Sequence, residues 1–179
     1  MQNKLLIVGN PNTGKTTLFN ALTGAREKTA NYGGVTVQAK EGNFNCAGQN
    51  VELVDLPGVY SFSDSSKDEQ VTEQYLSDYK DCPVLFVCSS SDIKRNMILL
   101  SEVANKGHKL LVLVNRMGTP VDEAGISQLK NILNVPVLQA DVKNAKDDLI
   151  DWISTSVATN INEKIDFKNP FGFLVRNLD

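Results

Sequence analysis

The chain has 179 residues, of which 41% are hydrophobic and 22% are charged, and its formal net charge is -3. This length fits one domain around its own apolar core, and the composition excludes a disordered or collagen-like chain. The charges are spread along the sequence rather than gathered in blocks, so we expect no nucleic-acid partner.

Cysteine usage and the lengths of the apolar runs favour a cytoplasmic protein. Cys46, Cys82 and Cys88 are odd in number and lack C-x-x-C spacing, as expected of reduced thiols. The longest apolar runs have about five residues, whereas a helix that spans a bilayer needs about 20. The N-terminus shows no signal-peptide pattern. We therefore expect a cytoplasmic location.

Five apolar runs predict strands that are buried on both faces, because they do not alternate with polar residues. Segments with helical periodicity lie between them, and this alternation predicts an α/β fold with helices on both faces of the sheet. The runs are Leu5–Val8, Val51–Leu56, Val84–Cys88, Leu110–Val114 and Val135–Leu138. The predicted helices are Thr16–Thr23, Asp68–Tyr79, Ile93–Asn105, Asp122–Leu133 and Asp147–Val157.

A sixth strand, Val35–Phe44, is predicted to run antiparallel to its neighbour. It leads into Val51–Leu56 through the short link Ala47-Gly48-Gln49, which can join only antiparallel strands. The prediction is a six-stranded, mostly parallel sheet with one antiparallel edge strand. Residues 1–158 would form the domain and residues 159–179 a C-terminal tail. The single histidine, His108, is predicted to lie in a solvated turn.

The segment after the first strand has the pattern of a phosphate-binding loop. It satisfies G-x-x-x-x-G-K-[ST] between a strand and a helix, where glycines and inward-pointing amides wrap a phosphate. Lys15 would add a positive charge for the phosphate oxygens, and the Thr16 hydroxyl would hold Mg²⁺. The predicted phosphate-side residues are Gly9, Asn10, Pro11, Asn12, Thr13, Gly14, Lys15, Thr16 and Thr17.

Two further segments favour a GTPase over a kinase or an ATPase. Asp55-Leu56-Pro57-Gly58 follows a strand with D-x-x-G spacing, so Asp55 is predicted beside Mg²⁺ and the Gly58 amide beside the γ-phosphate. Thr36, with Gly34 and Val35 before it, is predicted as a switch threonine that closes on Mg²⁺ and the γ-phosphate. The alternative for Thr36 is an ordinary strand residue.

These motifs together resemble the cytoplasmic G domain of the ferrous-iron transport protein B family. The resemblance spans Lys4 to Ile153 and is carried by GNPNTGKTTLFNALTG, ANYGGVTVQAKEG, VELVDLPGVYSF, DEQVTEQYL and IKRNMILL. It implies a Ras-like P-loop GTPase fold that binds GTP or GDP with Mg²⁺ and hydrolyses GTP. In the family this domain precedes a helical regulatory segment, which residues 159–179 could begin, and a membrane channel domain. The resemblance thus implies a location at the cytoplasmic face of the inner membrane when the chain is part of a transporter.

The resemblance also implies how hydrolysis is assisted. Val59 stands where Ras-type proteins have a glutamine, and an apolar side chain cannot orient water. In related GTPases a K⁺ ion beside the phosphates is held by the P-loop asparagine, which matches Asn12. By this resemblance Asn12, Lys15, Thr36 and Gly58 form the catalytic set, and hydrolysis is stimulated by K⁺. The alternative for Asn12 is a loop cap.

The base-recognition segment departs from the family pattern N-K-x-D. Here it reads Asn115-Arg116-Met117-Gly118, so a glycine replaces the aspartate that pairs with guanine. Gln139-Ala140 also replaces a serine-alanine pair, although the Ala140 amide can still bind a base oxygen. Asn115, Arg116 and Ala140 remain predicted nucleotide contacts. The alternative function is therefore a nucleotide-binding module with relaxed or lost guanine selectivity and little hydrolysis.

Overall fold

A mixed seven-stranded sheet with helices on both faces forms the centre of the molecule. The computed structural model describes residues 4–24, 28–31, 38–63, 66–118, 121–133 and 135–159. The strands are β1 Lys4–Val8, β2 Lys28–Asn31, β3 Gln38–Cys46, β4 Gln49–Asp55, β5 Val84–Ser89, β6 Leu110–Asn115 and β7 Val137–Ala140. The helices are α1 Lys15–Thr23, α2 Lys67–Asp78, α3 Ile93–Asn105, α4 Glu123–Ile132 and α5 Lys146–Thr159.

The strand order is β2-β3-β4-β1-β5-β6-β7, and all neighbouring pairs from β4 to β7 are parallel. This confirms the predicted α/β fold, and all six predicted strands are present. A seventh strand, β2, was not predicted. It pairs with the outer side of β3, so β3 is antiparallel as expected but is not at the edge. Because β2 is a four-residue strand with the sequence KTAN, it has no apolar pattern that identifies it.

Two apolar clusters pack on opposite faces of the sheet. One joins the sheet to α2, α3 and α4, and the other joins it to α1 and α5. In β5, Phe86 belongs to the first cluster while Leu85 and Val87 belong to the second, and all three side chains are fully buried. This two-sided burial explains the continuous apolar runs in the sequence.

A two-residue turn sets the register of the β3–β4 hairpin. Ala47 and Gly48 have φ angles of 51° and 81°, the signature of a type I′ turn. From Cys46 opposite Gln49, the antiparallel pairing continues without a bulge to Lys40 opposite Asp55. The turn at one end of the hairpin therefore determines which side chains meet at the other end.

The prediction for His108 is wrong. Its side chain is buried, and Nδ1 lies 3.1 Å from the carbonyl oxygen of Cys82. Burial lowers the pKa of the imidazole. His108 thus joins the segment before β6 to the segment before β5, a contact between links that sequence patterns do not reveal.

None of the helices in the described ranges combines the length and the apolar character required to cross a bilayer.

Candidate functional site

A cavity of about 290 Å³ opens where the carboxyl ends of β1 and β4 meet the start of α1. The loop between β1 and α1 forms one wall, and the ends of β3 and β4 form the other. The lining residues are Pro11, Asn12, Lys15, Thr16, Lys40, Asp55, Leu56, Pro57 and Gly58.

The loop before α1 leaves the first amides of the helix available for an anion. Gly14 occupies the N-cap position and provides no side-chain cap, so these amides can bind an anion supplied from outside the helix. A Cβ atom at Gly14 would clash with Nδ2 of Asn115, and the φ angle of Gly14 is 95°, so this position favours glycine. The Thr13 hydroxyl donates to the carbonyl oxygen of Asn10 at 3.0 Å, which holds the loop closed.

Lys15 lies beneath this loop and is almost completely buried. Its Nζ donates to the carbonyl oxygen of Asn10 at 2.8 Å. Burial lowers the pKa of the Lys15 ammonium to about 8, while the nearby carboxylate of Asp55 acts in the opposite direction. The ammonium is therefore poorly solvated, and an entering anion would stabilise its charged form.

The two residues that the sequence predicts as Mg²⁺ ligands, Thr16 and Asp55, are in contact. The Thr16 hydroxyl donates to Oδ2 of Asp55 at 2.8 Å, which places two oxygen ligands from different elements side by side. Mg²⁺ prefers oxygen ligands and is usually held by one or two protein groups plus substrate phosphates. This pair fits that requirement. Within the described ranges, no group of three or more His, Cys, Asp or Glu side chains could hold a metal ion.

Gly58 lies directly against the phosphate-binding loop. A Cβ atom there would approach Nζ of Lys15 to 2.8 Å and the backbone of Pro11 to 3.0 Å. The next residue, Val59, is only 3% exposed and packs in the cluster with α2, α3 and α4. Its side chain is thus directed into the core rather than into the cavity.

The two asparagines of the loop have different surroundings. Asn12 is exposed at the cavity wall and has a φ angle of 62°, a conformation that asparagine tolerates. Asn10 is buried, and its Nδ2 donates to the carbonyl oxygen of Arg95 in α3 at 3.4 Å. Asn10 therefore contributes its carbonyl group to the site and its side chain to the contact with α3. Thr17 is exposed on the first turn of α1.

Asn115, at the end of β6, connects the phosphate loop to the loop after β7. Its Nδ2 donates to the carbonyl oxygen of Thr13 at 2.9 Å, and its Oδ1 accepts from the amide of Val142 at 3.3 Å. The side chain is buried, so both bonds lie away from solvent. Asn115 thus holds together the two loops that the sequence assigns to phosphate and base.

Replacing Asn115 with alanine should lower the free energy of unfolding by about 2 to 4 kcal/mol, because two buried hydrogen bonds lose their partner. Nucleotide affinity should fall by about tenfold as the two loops separate. Urea denaturation and calorimetric titration with GDP measure the two effects. Asn115→Asp is the matched variant: its Oδ1 can still accept from Val142, but it cannot donate to Thr13. Unchanged stability in Asn115→Ala would contradict this role.

The segment that the sequence assigns to base recognition contains an arginine, Arg116, and a glycine with no close neighbours, Gly118. The amide of Arg116 donates to the carbonyl oxygen of Ala140 at 2.9 Å, and its Nη2 donates to Oε1 of Gln139 at 3.2 Å. Gly118 has a φ angle of 71°, and a Cβ atom there would have no neighbour within 4 Å. Asp122 caps α4 by accepting from the amide of Gly125 at 2.9 Å, so it is committed elsewhere.

Three predicted switch residues, Gly34, Val35 and Thr36, lie outside the described residues. One lining residue, Lys40, was not predicted. It lies in the segment ANYGGVTVQAKEG that carries the family resemblance, but the sequence assigns it no nucleotide contact. The signal that identifies it is the two-residue turn, since counting back from Ala47-Gly48 places Lys40 opposite Asp55.

The chain is similar to ferrous-iron transport proteins. The family model "Ferrous iron transport protein B" matches residues 3–153. The Fe(2+) transporter FeoB of Shigella flexneri is 42% identical over 115 residues, which cover 62% of this chain and 15% of that protein. This chain therefore spans a small part of the length of the curated relatives it matches.

Two solved structures extend the similarity to the fold. The cytosolic domain of L. pneumophila FeoB has a TM-score of 0.77 and 33% identity, covering 91% of this chain and 65% of that one. The cytosolic domain of the T. maritima FeoB iron transporter, in a GDP form, has a TM-score of 0.73 and 30% identity, covering 91% and 66% respectively.

Proposed function

This chain belongs to the ferrous iron transport protein B family, and from that membership we propose that it is the GTP-hydrolysing switch domain of a ferrous-iron transporter. The hydrolysis would depend on Mg²⁺ and be stimulated by K⁺. The observation that carries the proposal is the meeting of Lys15, Thr16 and Asp55 in one cavity at the start of α1, with Thr16 and Asp55 joined at 2.8 Å.

Lys15 would bind the triphosphate by exchanging its present hydrogen-bond acceptor for a phosphate oxygen. In the structure its ammonium donates to the carbonyl oxygen of Asn10. A phosphate oxygen offers a charged acceptor, and hydrogen bonds to charged groups are worth about 1.5 to 3 kcal/mol. Thr16 and Asp55 would hold Mg²⁺, which when bound supplies charge stabilisation to the phosphates.

Gly58 would sense the terminal phosphate through its backbone amide. Its position against Pro11 leaves no room for a side chain, so the backbone can approach the phosphate loop closely. Thr36, which precedes β3 in the sequence, would close on the same phosphate. Loss of the γ-phosphate would release both contacts, which is the order-disorder switch used by GTPases.

Water activation would not involve the residue after Gly58, because Val59 is buried in the core. Asn12 would instead hold K⁺, which when bound adds positive charge where an arginine finger acts in other GTPases. The exposed side chain of Asn12 at the cavity wall supports this role.

Calorimetric titration with GDP, GTP and ATP in the presence of Mg²⁺, followed by phosphate release in K⁺ and in Na⁺ buffers, tests the proposal. We expect guanine preference and release that is faster in K⁺. Lys15→Ala serves as the control that should bind no triphosphate. Equal release in both buffers would contradict the role of K⁺, and the absence of release would contradict hydrolysis.

The second candidate function is nucleotide binding with relaxed base selectivity and little hydrolysis. It is favoured by Gly118, which provides no carboxylate for the guanine edge, and by the engagement of Asp122 in capping α4. Similar affinities for GTP and ATP without phosphate release would support this candidate.

The remaining features of the proposal concern the whole transporter. We propose that the domain extends over residues 1–158 and that residues 159–179 begin a helical regulatory segment. The domain would act in the cytoplasm, at the inner face of the membrane that carries the channel domain. Its partners would be guanine nucleotide and that channel domain, and no nucleic acid.

A further inference from the structure

Lys40 is a second lysine in the lining of the nucleotide cavity. It lies on β3, directly opposite Asp55 on β4, and both residues line the cavity with Lys15 and Thr16. Directly opposed residues of an antiparallel pair have Cβ atoms about 4.5 to 5.5 Å apart and share one face of the sheet. Lys40 and Asp55 thus lie on the same face of the sheet, the face that packs against α1.

The charge of the cavity depends on this residue. Among the residues that the structure describes, the charged ones in its lining are Lys15, Lys40 and Asp55, which together carry one excess positive charge. Without Lys40, the lining charges of Lys15 and Asp55 would cancel. Positive charge beyond what the carboxylate neutralises would attract a polyphosphate, in addition to the attraction of the helix amides and of bound Mg²⁺.

The two lysines occupy different walls. Lys15 lies below the phosphate loop and donates to Asn10, whereas Lys40 belongs to the wall formed by Asp55, Pro57 and Gly58. A nucleotide whose inner phosphates are wrapped by the loop and the start of α1 would present its last phosphate to that second wall. Lys40 is also fixed in the sheet by pairing with β2 on one side and β4 on the other.

We propose that Lys40 binds the terminal phosphate of a nucleoside triphosphate in this cavity and so favours the triphosphate over the diphosphate. This proposal rests on the nucleotide binding proposed above. It adds a phosphate-binding residue from β3, a strand in which the sequence motifs assign no nucleotide contact.

The test compares the affinities of the 179-residue chain for Mg²⁺-GDP and for a Mg²⁺-bound, non-hydrolysable GTP analogue, measured by calorimetry. Lys40→Met should weaken binding of the analogue by about 10- to 100-fold, the loss that corresponds to one hydrogen bond to a charged group. Binding of GDP should weaken by about threefold or less. GDP lacks the terminal phosphate, so it would lose only the screened electrostatic attraction between Lys40 and its remaining phosphates. Lys40→Arg should restore most of the preference for the triphosphate.

Lys80→Met is the matched control, because it removes the same charge from an exposed residue outside the cavity. It should leave both affinities unchanged. Equal losses for GDP and the analogue in Lys40→Met, or no loss for either, would overturn the role of Lys40 while leaving nucleotide binding intact. If the unmodified chain binds neither nucleotide, the proposed function itself fails and this proposal fails with it.

Discussion

Lys15→Met is expected to weaken GTP binding by about a hundredfold or more and, at the same time, to stabilise the nucleotide-free protein. The loss of binding follows from removing a buried charge that would contact the phosphates. The gain in stability follows from the cost of burying that charge, because the pKa of Lys15 falls from 10.5 to about 8 in the folded protein. That difference corresponds to about 3 kcal/mol against folding at pH 7.

Part of this gain is offset, since Lys15 also donates to the carbonyl oxygen of Asn10, and that bond contributes about 1 kcal/mol. The free energy of unfolding should therefore rise by about 1 to 3 kcal/mol in Lys15→Met, as measured by urea denaturation at pH 7. Lys80→Met is the control for the change in net charge. A variant that is less stable than the unmodified protein at pH 7 would contradict the predicted cost of burial.

The same pKa predicts opposite effects of pH on stability and on binding. Between about pH 8 and pH 10.5 the unfolded chain holds the Lys15 proton more tightly than the folded protein. Lys15 therefore makes the free energy of unfolding increase with pH in that window. Nucleotide affinity should fall over the same window, by at most about tenfold per pH unit, because binding must then take up a proton. The stability advantage of Lys15→Met should shrink accordingly.

Gly118→Asp is expected to increase the preference for GDP over ADP by about a hundredfold or more. An aspartate at this position would accept two hydrogen bonds from the guanine edge, each worth about 1.5 to 3 kcal/mol. The structure has room for the side chain, since an added Cβ atom would have no neighbour within 4 Å. The φ angle of 71° makes the substitution cost about 1 to 2 kcal/mol of stability.

Calorimetric titration with GDP and ADP measures the change in preference. Gly118→Asn is the matched control, because asparagine has the same shape and tolerates positive φ but carries no charge. It should produce a smaller change than aspartate. If Gly118→Asp leaves the ratio of the two affinities unchanged, the base is not bound beside residue 118.

The fold was predictable where the sequence carries strong hydrophobic patterns. Central strands such as β5 and β6 are apolar nearly throughout because both of their faces are covered. β2 was missed because its KTAN sequence has no such pattern, and only its backbone pairing with β3 defines it as a strand. The burial of His108 was missed for a related reason, since it results from contact between two links distant in sequence.

The candidate site was predictable where its residues lie in a contiguous motif. Lys15 and Thr16 follow a glycine-rich loop, and Asp55 ends a strand next to β1, so parallel pairing alone brings them together. Lys40 was not predicted because its position depends on hairpin register rather than on local spacing. The two loops that Asn115 connects are likewise joined only in the folded chain.

The Ala47-Gly48 turn has a consequence for the nucleotide end of the sheet, about 20 Å away along six residues of strand. Side chains alternate between the two faces, so a slip of one residue between β3 and β4 would carry Lys40 to the opposite face. Asp55 would then face Ala39 or Glu41, and Phe44 would leave the cluster with α1 and α5. Tags or spacers inserted at the hairpin tip should therefore impair nucleotide binding, although they change no residue of the cavity. Insertions that preserve the pairing of Cys46 with Gln49 should not have this effect.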